Sequence, residues 1–271
     1  MRLLCAALAL LCLSAAQPGA FQLTGAPVQG ALLHGTAPSG TVALTLDGRE
    51  VPLAQDGRFL LGLDRDAGPR AVLAARLGNG RELRETLIVA PRGWPLQRIN
   101  MARPSTGPTP EYQRIREGEL RLIGAARLQR SNATGWTQRL IWPARGRISG
   151  RFGAQRIYRG GVPAAYHSGT DVAAGAGATV VAPADGVVTL APPPRFSLEG
   201  NLVIIDHGMG LSSAFLHLAS ARVRNGQRVR QGEVIGTVGA TGRATGPHLH
   251  WSLAWNGARI DPQAAAGPMD R

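Results

Sequence analysis

A turn signal interrupts this chain every few residues, and that punctuation limits what it can fold into. Between Phe21 and Ala90 the apolar runs are broken by Gly40, Asp47–Gly48, Asp56–Gly57, Gly68–Pro69 and Asn79–Gly80. Helical periodicity has no room to develop there. The runs Val42–Leu46, Arg58–Leu63, Ala71–Leu77 and Glu82–Val89 have the length of strands, and Asp-Gly and Asn-Gly make hairpin turns. Strands at this spacing predict a small β-sandwich over residues 21–95. His34 has no ligand-like neighbour in sequence and is read as a loop or edge residue.

The pattern returns after Trp142–Pro143. Val180–Val181, Gly186–Leu190, Asn201–Asp206, Leu211–Phe215, Val234–Val238 and His248–Leu253 are short β segments separated by glycine, proline and asparagine. They predict an all-β domain over residues 141–271. Between the two domains, Pro91 to Pro110 is rich in Pro, Gly, Ser and Thr and reads as a linker. Thr109–Pro110 then supplies a cap and a proline for the first helical position. Tyr112, Ile115, Leu122, Ile123 and Ala126 recur at helical spacing, which predicts one amphipathic helix from Glu111 to about Arg130, ended by Ser131–Asn132. The expected fold is mainly β: an N-terminal β-sandwich, a linker with its helix over 96–140, and a C-terminal all-β domain. The position of that linker and helix, directly before the C-terminal domain, suggests that they cover its groove.

Met1–Arg2, the apolar run Leu3–Leu13 and the small residues Ser14, Ala15, Ala16 and Ala20 describe a signal peptide over 1–20, cut after Ala16 or Ala20. The expected protein is exported, to the periplasm or beyond, and no other apolar stretch is long enough to span a bilayer. Both cysteines, Cys5 and Cys12, lie in the segment to be removed, so no disulfide is expected in the mature chain. The net charge is +13, with no lysine in the sequence. Solvated surface charge is the plain reading of this balance and attraction to a polyanion the functional one; the arginines are spread out and not interleaved with aromatic residues, which weakens the case for nucleic acid against an acidic cell-wall polymer.

Five of the six histidines fall in the C-terminal domain. His248 and His250 flank one apolar residue in a predicted strand, so they share a face. His167 and Asp171, four apart in an extended segment, also share one. His167, Asp171 and one of His248 and His250 make a three-ligand set for zinc that leaves a position for water. A metal-activated water needs a group to take its proton, and no His-Glu-x-x-His motif supplies a glutamate. If the chain is a hydrolase, histidines do that work. His217 ends an apolar strand, where a buried neutral ring is the ordinary expectation. His207 is read as structural, turned by Gly208 and held by Asp206.

These residues together resemble a family, the lysostaphin-type (LytM-type) zinc endopeptidases of the M23 family. The resemblance covers roughly Ile141 to Pro262. It rests on His167-x-Gly169-x-Asp171, Ala182–Pro183–Ala184–Asp185–Gly186–Val187–Val188, Ile205–Asp206–His207–Gly208, Phe215–Leu216–His217–Leu218, Gly226-x-x-Val229-x-x-Gly232 and Gly246–Pro247–His248–Leu249–His250. It implies an all-β LytM-type peptidase domain, one zinc ion on His167, Asp171 and His250, and His217 and His248 as the catalytic pair. It also implies hydrolysis of peptidoglycan cross-links, with the D-alanyl to diaminopimelate bond expected in a diderm bacterium. Phe215 stands where the family commonly has tyrosine. The N-terminal sandwich is similar to Ig-like domains that precede the peptidase in some proteobacterial members. The alternative is a non-catalytic or partner-activated wall-binding regulator of another cell-wall hydrolase. A lipoyl-type carrier, related in its β pattern, would need an attachment lysine that the chain lacks.

Overall fold

A computed structural model describes residues 20–102 and 109–269. The expected signal peptide therefore lies outside the described residues, apart from Ala20. No helix among the described residues is long and apolar enough to cross a membrane.

The N-terminal part is two antiparallel sheets. One joins Gln22–Thr24, Leu32–Thr36 and Arg58–Gly62; the other joins Arg49–Glu50, Thr41–Leu46, Arg70–Leu77 and Glu82–Ile88. Their inner faces bury Leu33, Phe59 and Leu61 from the first and Leu44, Leu73 and Ala75 from the second. Each predicted strand forms within a residue or so of its expected ends. Leu32–Thr36 was not foreseen, because Gly35 weakens its strand signal. The glycine is needed where it is: it pairs with Phe59, whose ring occupies the space a Cβ would take. His34 is thus neither a loop nor an edge residue, since its strand is the middle one of its sheet and its ring is half-buried.

The sandwich is pressed against the C-terminal part. Gly62 meets Trp255 and Ile260, the Asp261 amide donates to Gly30 O at 2.9 Å, and Arg92 pairs with Asp261 at 2.9 Å. One apolar cluster runs from Leu33, Phe59 and Leu73 through to Trp251, Leu253 and Ile260. The expected linker is corrected in the same region. Leu96–Arg98 is a strand, paired in parallel with Gln155–Ile157, so this stretch is tied down by backbone hydrogen bonds. Its Pro-rich composition hid a partner that lies far along the sequence.

The C-terminal part is built on an eight-stranded antiparallel sheet. Its centre is formed by Asn201–Gly208, Leu211–Leu218, Leu249–Trp255 and Thr170–Ala173 in that order. Alternation sorts the side chains. Val203, Ile205, Phe215, Leu249, Trp251 and Leu253 point into the main core. Leu202, Ile204, Ala214 and Leu216 point to the other face, where helix α1 (Pro110–Leu128) lies.

Helix α1 starts as predicted, with the Thr109 hydroxyl accepting from the Tyr112 amide at 3.2 Å. Its apolar stripe is narrower than the sequence suggested. Ile123 and Ala126 are buried against Leu190, Phe196, Leu202, Ile204 and Ala214, whereas Ile115 and Leu122 are 51% and 49% exposed. Polar contacts supply the rest of the docking. Arg116 grips the Glu199 carboxylate with both terminal nitrogens, at 2.6 and 2.5 Å, and Glu119 accepts from the Ser197 hydroxyl at 2.7 Å. A helix this polar is held as much by that arginine fork as by its apolar face.

Candidate active site

His250 and Asp171 come together through strand register. Asp171 pairs directly with His250 across neighbouring strands, and both turn away from the face that buries Val172, Leu249 and Trp251. His167 arrives from the loop before Thr170–Ala173. His167 Nε2, Asp171 Oδ1 and His250 Nδ1 lie 2.8 to 3.1 Å from one another. Bonds of roughly 2.1 Å to a tetrahedral ion would set such atoms about 3.4 Å apart, so small shifts suffice to admit one. The Nδ1–H of His167 donates to Arg151 O at 3.0 Å, which leaves the Nε2 lone pair facing its two partners. Two imidazoles and a carboxylate, converging with lone pairs inward, fit a divalent ion such as zinc.

Burial disfavours charge on all three groups, and the hydrogen bonds and charges around Asp171 decide the outcome. Its contacts with His167 and His250 overcome desolvation and hold its carboxyl well below the usual range. Desolvation works against the charged form of His167, but its bond to Asp171, the charge of that carboxylate and the Arg151 carbonyl together push its pKa up. His250, more deeply buried, is pushed down. A divalent ion in this position would therefore meet an ionised carboxylate.

Two glycines make room for the cluster. A Cβ at Gly169 would sit 2.6 Å from His250 Nε2 and 2.5 Å from Trp251 O. A Cβ at Gly150 would overlap the Asp171 carboxylate. Gly169 stands in the quoted motif; Gly150 carries no sequence signal, since only the pairing of its strand with Asp171 brings it near.

His217 and His248 lie beside the cluster without belonging to it, their ring centres 4.9 Å apart. His248 Nδ1–H donates to Gly246 O at 2.8 Å, and its Nε2 is 3.8 Å from Asp171 Oδ1. His217 needs a departure from regular strand geometry. Leu216 pairs with His250, so strict alternation would send the next side chain to the opposite face. The backbone of His217 has a φ of 63°, and that left-handed residue turns the ring back into the cleft. Its Nδ1–H donates to Thr241 O at 2.9 Å, leaving Nε2 as a lone pair. Burial, helped by the neighbouring His248, lowers its pKa and keeps that lone pair free at neutral pH.

His207 is structural, as expected, but Asp206 does not hold it. The ring is fully buried between Asp185 O, 2.8 Å from Nδ1, and Ser213 Oγ, 2.9 Å from Nε2. Asp206 instead caps the turn after α1, accepting from the amide and hydroxyl of Ser131 at 2.7 and 2.6 Å. The backbone carbonyls of Arg151, Thr241 and Gly246 orient three of the site's rings, and no residue type announces them. The expected covering of the groove is corrected to a wall. Leu96, Gln97, Ile123 and Arg127 line one side of a cleft of about 990 Å³ that still reaches His167, His217, His248 and His250.

Two imidazoles and a carboxylate that could hold a metal ion, with two further imidazoles beside them on a β-sheet, are an arrangement that metal-assisted hydrolysis can use. The sequence profile of Peptidase family M23 matches residues 165–262. The crystal structure of a putative peptidase M23 from Pseudomonas aeruginosa superposes with a TM-score of 0.68 at 30% identity, over 90% of this chain and 96% of that one. The chain belongs to peptidase family M23. Among curated relatives, the peptidoglycan DD-endopeptidase ShyC of Vibrio cholerae is 38% identical over 123 residues, covering 45% of this chain and 28% of ShyC. The DD-carboxypeptidase/endopeptidase Mpg of Neisseria meningitidis is 45% identical over 102 residues, covering 38% of this chain and 23% of Mpg. The chain thus spans under a third of the length of either relative.

Proposed function

We propose that this protein is a zinc-dependent endopeptidase that hydrolyses the peptide cross-links of peptidoglycan, at the D-alanyl to diaminopimelate bond. The observation that carries this is the convergence of His167 Nε2, Asp171 Oδ1 and His250 Nδ1 within 3.1 Å, with His217 and His248 beside them. The names of the matched relatives support the substrate class. The composition of residues 1–20 supports export to the compartment where that polymer lies.

In this reading His167, Asp171 and His250 hold the zinc. The ion supplies a Lewis acid that polarises the scissile carbonyl and lowers the pKa of a bound water. His217, fixed through Thr241 O, accepts the water proton at Nε2, since its lowered pKa keeps it neutral beforehand. The imidazolium so formed passes the proton to the leaving amine. His248, fixed through Gly246 O, faces the same space and, when protonated at Nε2 as well, donates to the developing oxyanion.

Residues 21–271 incubated with purified peptidoglycan should convert cross-linked dimers to monomers, read by mass analysis of the released fragments. Chelator should stop the reaction. His217→Ala should keep its zinc and lose about 10²–10⁴ in rate, whereas Asp171→Ala should lose both. Glycine-bridge cleavage without D-alanyl cleavage would overturn the assigned bond. Cosedimentation with the wall and no release would point to the non-catalytic alternative.

A further inference from the structure

Arg127 and Arg259 reach the cleft from unrelated elements, the last turn of α1 and the strand Ala258–Ile260. Both guanidinium groups are partly buried, and neither makes a hydrogen bond or ion pair with a described residue. Burial lowers the pKa of each, that of Arg127 to about 10 with the charge of Arg259 adding to the effect. The acid nearest in effect to Arg127 is Glu199, which Arg116 already occupies with both terminal nitrogens. Tyr166 and Asp64 favour the charge on Arg259, but Asp64 Oδ2 is spent on the Arg259 backbone amide at 2.7 Å. A cation in the last turn of a helix complements its dipole, which accounts for Arg127 in part and for Arg259 not at all.

Two like charges withdrawn from water without partners destabilise a fold unless an anion joins them. The planar fork of arginine suits a carboxylate in particular. The remaining charges in the cleft lean the same way. Arg156 and Arg243 add positive charge, while Asp171 is held among histidines and Glu199 by Arg116.

We propose that Arg127 and Arg259 form a carboxylate-binding subsite, holding an acidic peptide substrate by a free carboxylate away from the bond that is cut. The proposal rests on the peptidase reading above for its substrate, and it gives α1 a part in recognition. Stem peptides carry such groups on D-glutamate and on diaminopimelate, and the test separates the two.

The probe is the tetrapeptide L-Ala–D-Glu–diaminopimelate–D-Ala, titrated calorimetrically into the zinc-loaded protein. Parallel titrations use the peptide amidated at D-glutamate or at diaminopimelate. Arg127→Gln and Arg259→Gln should each weaken binding of the acidic peptide about tenfold or more. One amidated peptide should bind weakly to the parent protein and be indifferent to both substitutions, which names the carboxylate. Arg127→Lys, which keeps the charge, should retain part of the affinity and confirm an intact cleft. In cross-link cleavage the same variants should raise KM and leave kcat nearly unchanged. Equal affinity of parent and Gln variants for the acidic peptide would overturn the proposal, as would equal loss for acidic and amidated peptides. Arginine-dependent binding without any cleavage would sink the peptidase reading and leave the subsite standing. Cleavage with an unchanged KM in the variants would do the reverse.

Discussion

A single glycine shows how tightly the His167, Asp171 and His250 cluster is built. Gly150 has no chemistry of its own, yet any Cβ there would overlap the Asp171 carboxylate. Gly150→Ala should therefore lower zinc affinity by roughly 10–100-fold, the scale found when groups that orient ligands are disturbed. The chain should stay folded, and the check is competition with a chromogenic chelator beside a thermal melt. His217 makes the complementary point. A non-glycine residue with a left-handed backbone costs on the order of 1 kcal/mol or more, and here that geometry is what brings the imidazole to the cleft. The ring type was readable in Phe215–Leu216–His217–Leu218, but its direction was not, since a strand by itself predicts the opposite face.

At the scale of elements, α1 is where sequence pattern and packing diverge most. Its start was readable from Thr109–Pro110, while its periodicity overstated the apolar face, leaving Ile115 and Leu122 outside. The reason is that Arg116 and Glu119 carry docking energy that a hydrophobic pattern cannot register. Glu199→Gln should leave Arg116 with Glu119, 2.8 Å away, as its remaining acidic partner and cost about 1–3 kcal/mol, less than a buried pair that loses its whole counter-charge. Amide exchange along α1 should quicken. Activity should fall as well, because the backbone oxygen of Glu199 accepts the His217 amide at 2.8 Å. Unchanged exchange in the helix would show that its apolar contacts suffice.

For the whole molecule, acid stability follows from histidines remote from the cleft. Burial depresses the pKa of His34 and of His207 below the ordinary 6.5. The unfolded chain then binds protons that the folded chain does not, so their stabilising contribution is present above pH 6.5 and is lost as pH falls through the depressed values. Melting temperature of the chelated protein should drop below that pH, and His34→Gln should flatten part of the slope. By itself the sequence determined the β character, the helix start and the imidazole and carboxylate groups that the cleft gathers, because turn dipeptides, capping residues and imidazoles act through local geometry or intrinsic chemistry. His167-x-Gly169-x-Asp171 and His248-x-His250 were visible for that reason. The tertiary structure alone decided the docking of the sandwich, the strand Leu96–Arg98, the wall made by α1, and the clearance at Gly150. Each depends on register between residues far apart in the chain, and the carbonyls that aim His167, His217 and His248 belong to a backbone every residue shares.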